Sequence, residues 1–246
     1  MQTEKRVTTG LVLRQTVTKE SDLILTVLTP DLGRISVIAK GARSKKSKYS
    51  AACQLLTYSE MTLTERSEWY YLNEASTVAL FDGVRQDIVL LSLGSYFAEL
   101  CEAVCTPEAA PELLRLLLNA LYALSELHRD PVVVKAAFTF RLMALSGFEP
   151  YCDACAICGS PPERPVLDVV QGVVHCAACK TAGLSLPLTA GSLDALRYLL
   201  SCDAKKLYHF SASPQDLKLL DHAAETFVSA QLERSFRTLD YYKSML

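Results

Sequence analysis

The chain has 246 residues, half of them apolar, and a formal charge of -2. That length exceeds one typical domain and supplies ample core material, so two domains, or one with an appendage, are expected. The N-terminal Met1-Gln2-Thr3-Glu4-Lys5-Arg6 has no apolar run and no stretch approaches membrane-spanning length, so neither a signal peptide nor a membrane span is expected.

Residues 7–76 read as strands. Val7–Val17 is rich in β-branched residues. Leu23–Leu28 is a short apolar run closed by Thr29-Pro30-Asp31-Leu32-Gly33, and Arg34–Ala39 resumes it, which predicts a hairpin. Next come five cations in nine residues without an acid: Lys40, Arg43, Lys45, Lys46 and Lys48. Residues 1–50 hold ten Lys/Arg against four Asp/Glu, whereas residues 51–246 hold fifteen against twenty-three. The positive charge is therefore concentrated in one place. Such a field attracts polyanions, and Gly41, Ala42, Ser44 and Ser47 let a phosphate backbone come close. The plainer reading is a solvated loop. Tyr58–Thr64 alternates and Trp69–Leu72 is aromatic, so the strands suggest a small barrel with the basic segment as a connection. Trp69, Tyr70 and Tyr71 could stack on bases, but alternate members are expected to fill the barrel core, Trp69 among them.

After Phe81 the period changes. Asp87–Cys105 reads as an amphipathic helix. Pro111 opens a second over Leu113–Leu127, and Asp130-Pro131 starts a third that Gly147 stops. Residues 148–188 form a Cys/Pro/Gly-rich insert. Helices return at 190–201 and from Ser213-Pro214-Gln215-Asp216 to about Phe236. Asp87, Asp130, Asp194 and Asp216 sit near helix starts, and His128 near a helix end, which explains them without catalysis. The expected class is α+β, with a barrel domain at 1–80 and a helical domain at 81–246.

The nine cysteines are odd in number and follow no signal sequence, so a disulfide framework is not expected. Five lie between 152 and 179. Cys155-x-x-Cys158 and Cys176-x-x-Cys179 are separated by seventeen residues, and four thiolates satisfy tetrahedral Zn²⁺. Val166–Val170 and Val173–Val174 flank Gly172, which predicts a hairpin between the two pairs. Cys152 can compete as a ligand, but only Cys158 is followed by the Gly that a knuckle turn favours. Four cysteines leave no open position, so one structural zinc is expected. No His-x-Glu, Gly-x-Ser-x-Gly, P-loop or Rossmann pattern occurs, so no enzyme is expected. Cys53, Cys101, Cys105 and Cys202 read as small buried apolar residues.

These segments together resemble the bacterial recombination mediator family RecO. The resemblance is carried by Gly10-Leu-Val-Leu-Arg14, by Glu20-Ser21-Asp22, by Leu28-Thr29-Pro30 with Gly33, and by Ala39-Lys40-Gly41-Ala42-Arg43 with the run to Lys48. Asn73-Glu74-Ala75, Pro150 and the two Cys-x-x-Cys pairs, with Gly159, complete it. It implies an N-terminal OB-fold, an all-helical second domain and a small four-cysteine zinc knuckle. It also implies loading of recombinase onto DNA coated with single-strand-binding protein, RecR as a partner, and annealing of complementary strands. Cys152 departs from the family, which more often has an apolar residue there. A basic connection on such a barrel forms a track for single- or double-stranded DNA, which Arg14 and Arg34 extend if they face the same side. The family further implies that the helical half receives the tail of single-strand-binding protein. Lys135 and Arg141 are its candidate contacts, because each interrupts an apolar helix. An RNA-binding accessory factor, or a scaffold acting through its helices, remains the alternative.

Overall fold

The computed structural model describes residues 5–18, 20–44, 46–106, 108–179 and 183–246. Two compact units divide the chain: Met1–Glu126 with Thr238–Leu246, and Leu127–Arg237.

In the first unit, β1 (Lys5–Val17), β2 (Leu23–Thr29), β3 (Gly33–Ala39), β4 (Tyr58–Arg66) and β5 (Trp69–Ala79) close into a barrel in the order β1-β2-β3-β5-β4. The β3–β5 pair is parallel and the other four are antiparallel. This is the OB arrangement. The length of β1 makes closure possible: Lys5–Leu11 pairs with β4, and Leu11–Val17 pairs with β2. A register shift between Val12 and Arg14 bends the strand where it changes partner. Along β3, Ile35, Val37 and Ala39 point inward and alternate with the half-buried Arg34, Ser36 and Ile38. Val12, Leu25, Val27, Met61, Leu63 and Leu72 fill the interior with them. Each such buried aliphatic contributes about 1.5–3 kcal/mol of burial.

The predicted hairpin turn is present. Gly33 has φ +60, and a Cβ there would stand 2.0 Å from Glu108 O. Only glycine allows both the left-handed backbone and that approach. The connection from Lys40 to Thr57 contains no regular element among its described residues. Its second half is anchored by the buried Ala52, Cys53, Leu56 and Thr57, with Leu56 N donating to Val12 O at 2.9 Å. Burial pushes the Cys53 thiol up to about 12.

The helices α1 (Asp82–Gln86), α2 (Ile88–Val104) and α3 (Pro111–Ser125) belong to the same unit as the barrel. Asp87 caps α2 by accepting from Val89 N and Leu90 N, as its position predicts. Helix α2 packs on β1 and α3 on β2, where Leu11, Leu13 and Leu28 are buried outside the barrel core. The expected boundary near residue 80 marks a change of secondary structure, while the compact unit that holds the barrel comprises Met1–Glu126 with Thr238–Leu246. The reason is that an apolar outer barrel face needs a cover, and the first long helices provide it.

The second unit contains α4 (Pro131–Leu145), α5 (Ala190–Ser201), α6 (Pro214–Gln231) and a sheet of order β7-β6-β8. Its strands are β6 (Pro165–Asp168), β7 (Val173–Cys176) and β8 (Ser185–Pro187). The helix expected to reach Phe236 ends at Gln231, and α7 (Arg237–Ser244) follows. Helix α4 is the centre of the unit: every residue from Val134 to Phe140 is buried. A helix that is apolar all round is enclosed, and its cations then meet internal partners. Lys135 is 3 % exposed, with Nζ 2.5 Å from Glu225 Oε1 and 3.1 Å from Asp221 Oδ2 of α6. Arg141 donates through Nε to Leu199 O at 2.8 Å and through Nη2 to Cys202 O at 2.7 Å, satisfying carbonyls at the end of α5. The expectation that Lys135 marks a partner groove is corrected, because Lys135 is enclosed; Arg141 is half-buried and bound to carbonyls at the end of α5.

Removing one partner from a buried ionic cluster leaves the others uncompensated. Lys135→Ala is therefore expected to lower stability by about 3–5 kcal/mol in urea denaturation. A loss below about 1 kcal/mol would show that solvent reaches the two carboxylates.

Candidate nucleic-acid surface and metal centre

The basic segment leaves the end of β3. Lys40, Arg43, Lys46 and Lys48 are exposed, and Lys45 lies outside the described residues. The start of the segment is pinned to the β1–β2 loop. Gly41 N donates to Asp22 Oδ1 at 2.8 Å, and Arg43 N donates to Ser21 O at 3.0 Å. Tyr49 Oη donates to Lys40 O at 3.0 Å. Among the described residues no carboxylate forms an ion pair with Lys40, Arg43, Lys46 or Lys48. Arg43 Nη1 donates to Glu20 O at 3.2 Å, and all four side chains remain exposed on a fixed base.

Arg14 and Arg34 are placed differently. Arg14 Nη2 is 2.7 Å from Glu102 Oε1, and Arg34 Nη1 donates to Glu102 O at 2.7 Å. Both cations serve the C-terminal turn of α2, where carbonyls lack helical partners. Arg34 also stands at the opposite end of β3 from Lys40. The structure therefore brings these two arginines together but not with the run.

The β5 aromatics divide by the two-residue period of a strand. Leu72 and Tyr70 face the barrel core, so Trp69 and Tyr71 face outward. Trp69 is 38 % exposed, which corrects the expectation that it fills the core. The parallel pairing of Ile38 with Tyr71 brings Lys40 Nζ to 5.7 Å from the Tyr71 ring centroid. Arg66 Cζ lies 5.3 Å from the same centroid, within cation–π range. Arg66 is paired in register with Trp69, Thr64 with Tyr71, and Lys5 with Thr64. Directly paired residues share a face, so Lys5, Lys40, Arg66, Trp69 and Tyr71 lie on one outer surface. Glu65 pairs with Tyr70 on the other face. Burial, and then the Glu65 carboxylate, raise the Tyr70 phenol above its ordinary value. Arg66 and Lys5 were not singled out from the sequence, although the Arg66-x-x-Trp69 turn is a local hairpin signal.

The four knuckle cysteines converge. The Sγ atoms of Cys155, Cys158, Cys176 and Cys179 all lie within 4.8 Å of one another, and those of Cys158 and Cys176 are 3.9 Å apart. A tetrahedral ion with bonds of about 2.3 Å to sulfur has edges of about 3.8 Å, so the set fits one. Gly159 N donates to Cys155 O at 2.9 Å and Cys179 N to Cys176 O at 3.0 Å, which forms the two knuckle turns. Gly159 takes φ +71, the conformation that glycine supplies. The expected hairpin joins the turns: Pro165 of β6 pairs with Cys176, and Ala156 N donates to Val174 O at 2.9 Å. Backbone donors at Cys158 and Cys176 pull the Cys155 thiol down to about 5. Burial, and then Cys158, push the Cys179 thiol up to about 12. Sulfurs this close oppose one another's ionisation, and a divalent cation would relieve that. Cys152 stands outside the cluster; its carbonyl accepts from Arg197 Nε at 2.9 Å, and burial pushes its thiol up to about 11. Of the other cysteines, Cys53, Cys101 and Cys105 are buried as expected, whereas Cys202 is half-buried.

A closed OB barrel with an exposed basic connection, followed by helices bearing a four-cysteine knuckle, defines an OB-fold protein with a helical second half and a cysteine cluster that could hold a metal ion. No helix among the described residues is long and apolar enough to cross a membrane. Residues 1–81 match the family described as Recombination protein O N terminal, and residues 85–240 match Recombination protein O C terminal. The DNA repair protein RecO of Acetivibrio thermocellus is 29% identical over 241 residues, covering 97% of this chain and 96% of that protein. That of Caldicellulosiruptor saccharolyticus is 30% identical over 236 residues, covering 95% and 96%. That of Symbiobacterium thermophilum is 28% identical over 244 residues, covering 96% of each. The chain belongs to the RecO family of DNA repair proteins.

The ligand geometry yields a direct expectation. Cys158→Ser or Cys179→Ser should abolish the tetrahedral thiolate spectrum of added Co²⁺, and Cys152→Ser should leave it intact. Loss of the spectrum in Cys152→Ser would exclude this set of four.

Proposed function

We propose that this chain binds single- and double-stranded DNA through its barrel and anneals complementary strands. In the same reading it assists loading of recombinase onto DNA coated with single-strand-binding protein. The observation that carries the reading is the segment Lys40–Lys48, whose described cations are exposed and unpaired by carboxylates. Membership of a DNA repair family makes DNA the polyanion to consider first.

The mechanism needs no nucleophile or general base. Two strands repel through their phosphates, and a fixed row of cations lowers that cost while condensed counterions are released. Base pairing and stacking then supply about 1.4 kcal/mol per step. The chain acts as a mediator rather than as an enzyme. Lys40, anchored by β3 and by Tyr49, holds the start of the row against the barrel. The remaining cations follow the backbone of the strand.

The ion proposed for the knuckle is a single Zn²⁺. Four thiolates favour zinc over harder divalent ions, and four protein ligands leave no site for a reacting water. Its role is to hold the two turns together. RecR and the C-terminal tail of single-strand-binding protein are the proposed protein partners, in the bacterial cytoplasm at the nucleoid. Of the two cations of α4, the half-buried Arg141 is the candidate contact for the tail, and the enclosed Lys135 is not.

Neutralising Lys45, Lys46 and Lys48 together should weaken DNA binding for all sequences alike and slow annealing. Each lost phosphate contact should reduce the slope of log K against log salt by about 0.7–0.9. A salt titration of binding to single strands and to duplex measures this. Full affinity with an unchanged slope would place the track elsewhere.

A further inference from the structure

We infer that the outer face bearing Trp69, Tyr71 and Arg66 takes unpaired DNA bases by stacking, and so gives the barrel a preference for single strands. The inference rests on the reading of the barrel as a DNA-binding surface and names the chemistry of one part of it.

The first observation is the exposure of Trp69. The strand buries Leu72, packs the half-buried Tyr70 against the core and leaves the indole 38 % exposed at the β4–β5 turn. A large aromatic on the outer face of a hairpin end adds nothing to the barrel core. The second observation is the arrangement beside it. Tyr71 shares its ring with two cations, Lys40 at 5.7 Å and Arg66 at 5.3 Å. Arg66 is in register with Trp69 on the neighbouring strand, so the guanidinium that lies over the Tyr71 ring and the indole share one outer face. Guanidinium and indole both offer flat faces to a base.

The third observation is the layout of charge. Glu68 occupies the turn next to Trp69, and the exposed Glu60 and Glu74 lie farther along the paired strands. These carboxylates repel phosphates, whereas Lys40–Lys48 attracts them. A strand whose backbone follows the basic run therefore turns its bases, not its phosphates, toward Trp69. A single strand can do this. A duplex cannot, because its bases are already stacked on one another. Trp69 is the stacking residue, Arg66 its flanking partner, and Tyr71 a positioning residue that holds Arg66 and Lys40 side by side.

Trp69 is the only tryptophan in the chain, so its emission reports this site alone. The full chain is titrated with fluorescently labelled oligo(dT) and with a duplex of equal length. Tryptophan emission and the anisotropy of the label are followed together. The expected result is quenching by oligo(dT) with the same midpoint as the anisotropy rise, and little quenching by duplex. Trp69→Ala should weaken oligo(dT) binding by about 5- to 150-fold, the range that one base–aromatic stack supplies, and leave duplex binding within about twofold. Trp69→Phe should retain most of the oligo(dT) affinity, which separates loss of stacking from loss of folding. Oligo(dT) binding without quenching, or equal weakening of both DNA forms by Trp69→Ala, overturns the stacking role while leaving the DNA-binding reading in place. Failure of the unaltered chain to bind either DNA overturns that reading itself, and the stacking role with it.

Discussion

A parallel contact of only two residue pairs, Val37 with Tyr70 and Ile38 with Tyr71, joins β3 to β5 and closes the barrel. Much of the surface depends on it. Without it β3 and β5 would be free edges, and unpaired edges invite pairing with other chains. With it, Tyr70 is committed to the interior and Tyr71 to the exterior. Lys40, the residue that follows β3, comes to rest beside the Tyr71 ring. The basic run therefore begins at the seam of the barrel, next to the β4–β5 turn that carries Arg66 and Trp69. One strand pairing thus fixes the origin of the cationic segment and the composition of the face beside it.

The cations of the chain fall into three physical roles. Arg14, Arg34 and Arg141 terminate helices: they meet carbonyls or a carboxylate at the ends of α2 and α5. Lys135 neutralises two carboxylates inside the second unit. Lys40, Arg43, Lys46 and Lys48 form no ion pair with a carboxylate among the described residues: Arg43 Nη1 donates to Glu20 O at 3.2 Å in an exposed contact, and Lys40 shares the Tyr71 ring with Arg66. A surface charge without an internal partner costs little where it is hydrated, but a row of them is mutually repulsive. A polyanion offsets that repulsion. The distinction matters because charge alone would have grouped all of these residues as one basic face.

Local chemistry made part of this legible in the sequence. The β2–β3 hairpin was readable because Pro30 and Gly33 demand a turn. The helix starts were readable because Asp87, Asp130 and Ser213 cap them. The four-cysteine cluster was readable because each Cys-x-x-Cys pair is a local turn, and the hairpin needed to join the pairs had its own signal at Gly172. What was not legible depended on tertiary pairing. The side on which Trp69 emerges is set by its register with Arg66 and by the inward commitment of Leu72, and neither is written in the three aromatic letters. Lys135 and Arg141 read as cations at the edge of an apolar helix, but α4 is covered on all sides, so there is no such edge for Lys135. The break after Gln231 and the strand Ser185–Pro187 carry little propensity signal, because each is held by its neighbours. The edge of the first compact unit was hidden for a similar reason. Leu11, Leu13 and Leu28 look like core residues of a barrel, and only closure shows that they need a helical cover.

The central claim is that DNA lies along the free barrel surface, from the basic run to the β4–β5 turn. Photocrosslinking tests it most directly. The full chain is irradiated with oligonucleotides that carry 4-thiothymidine at successive positions, and the attached residues are mapped by mass spectrometry. The account predicts crosslinks within residues 40–48 and at residues 66–71, with few at Arg14 or Arg34. Crosslinks confined to residues 127–237 would contradict it, because the DNA would then be held by the helical unit and the barrel's unpaired charge would have another purpose.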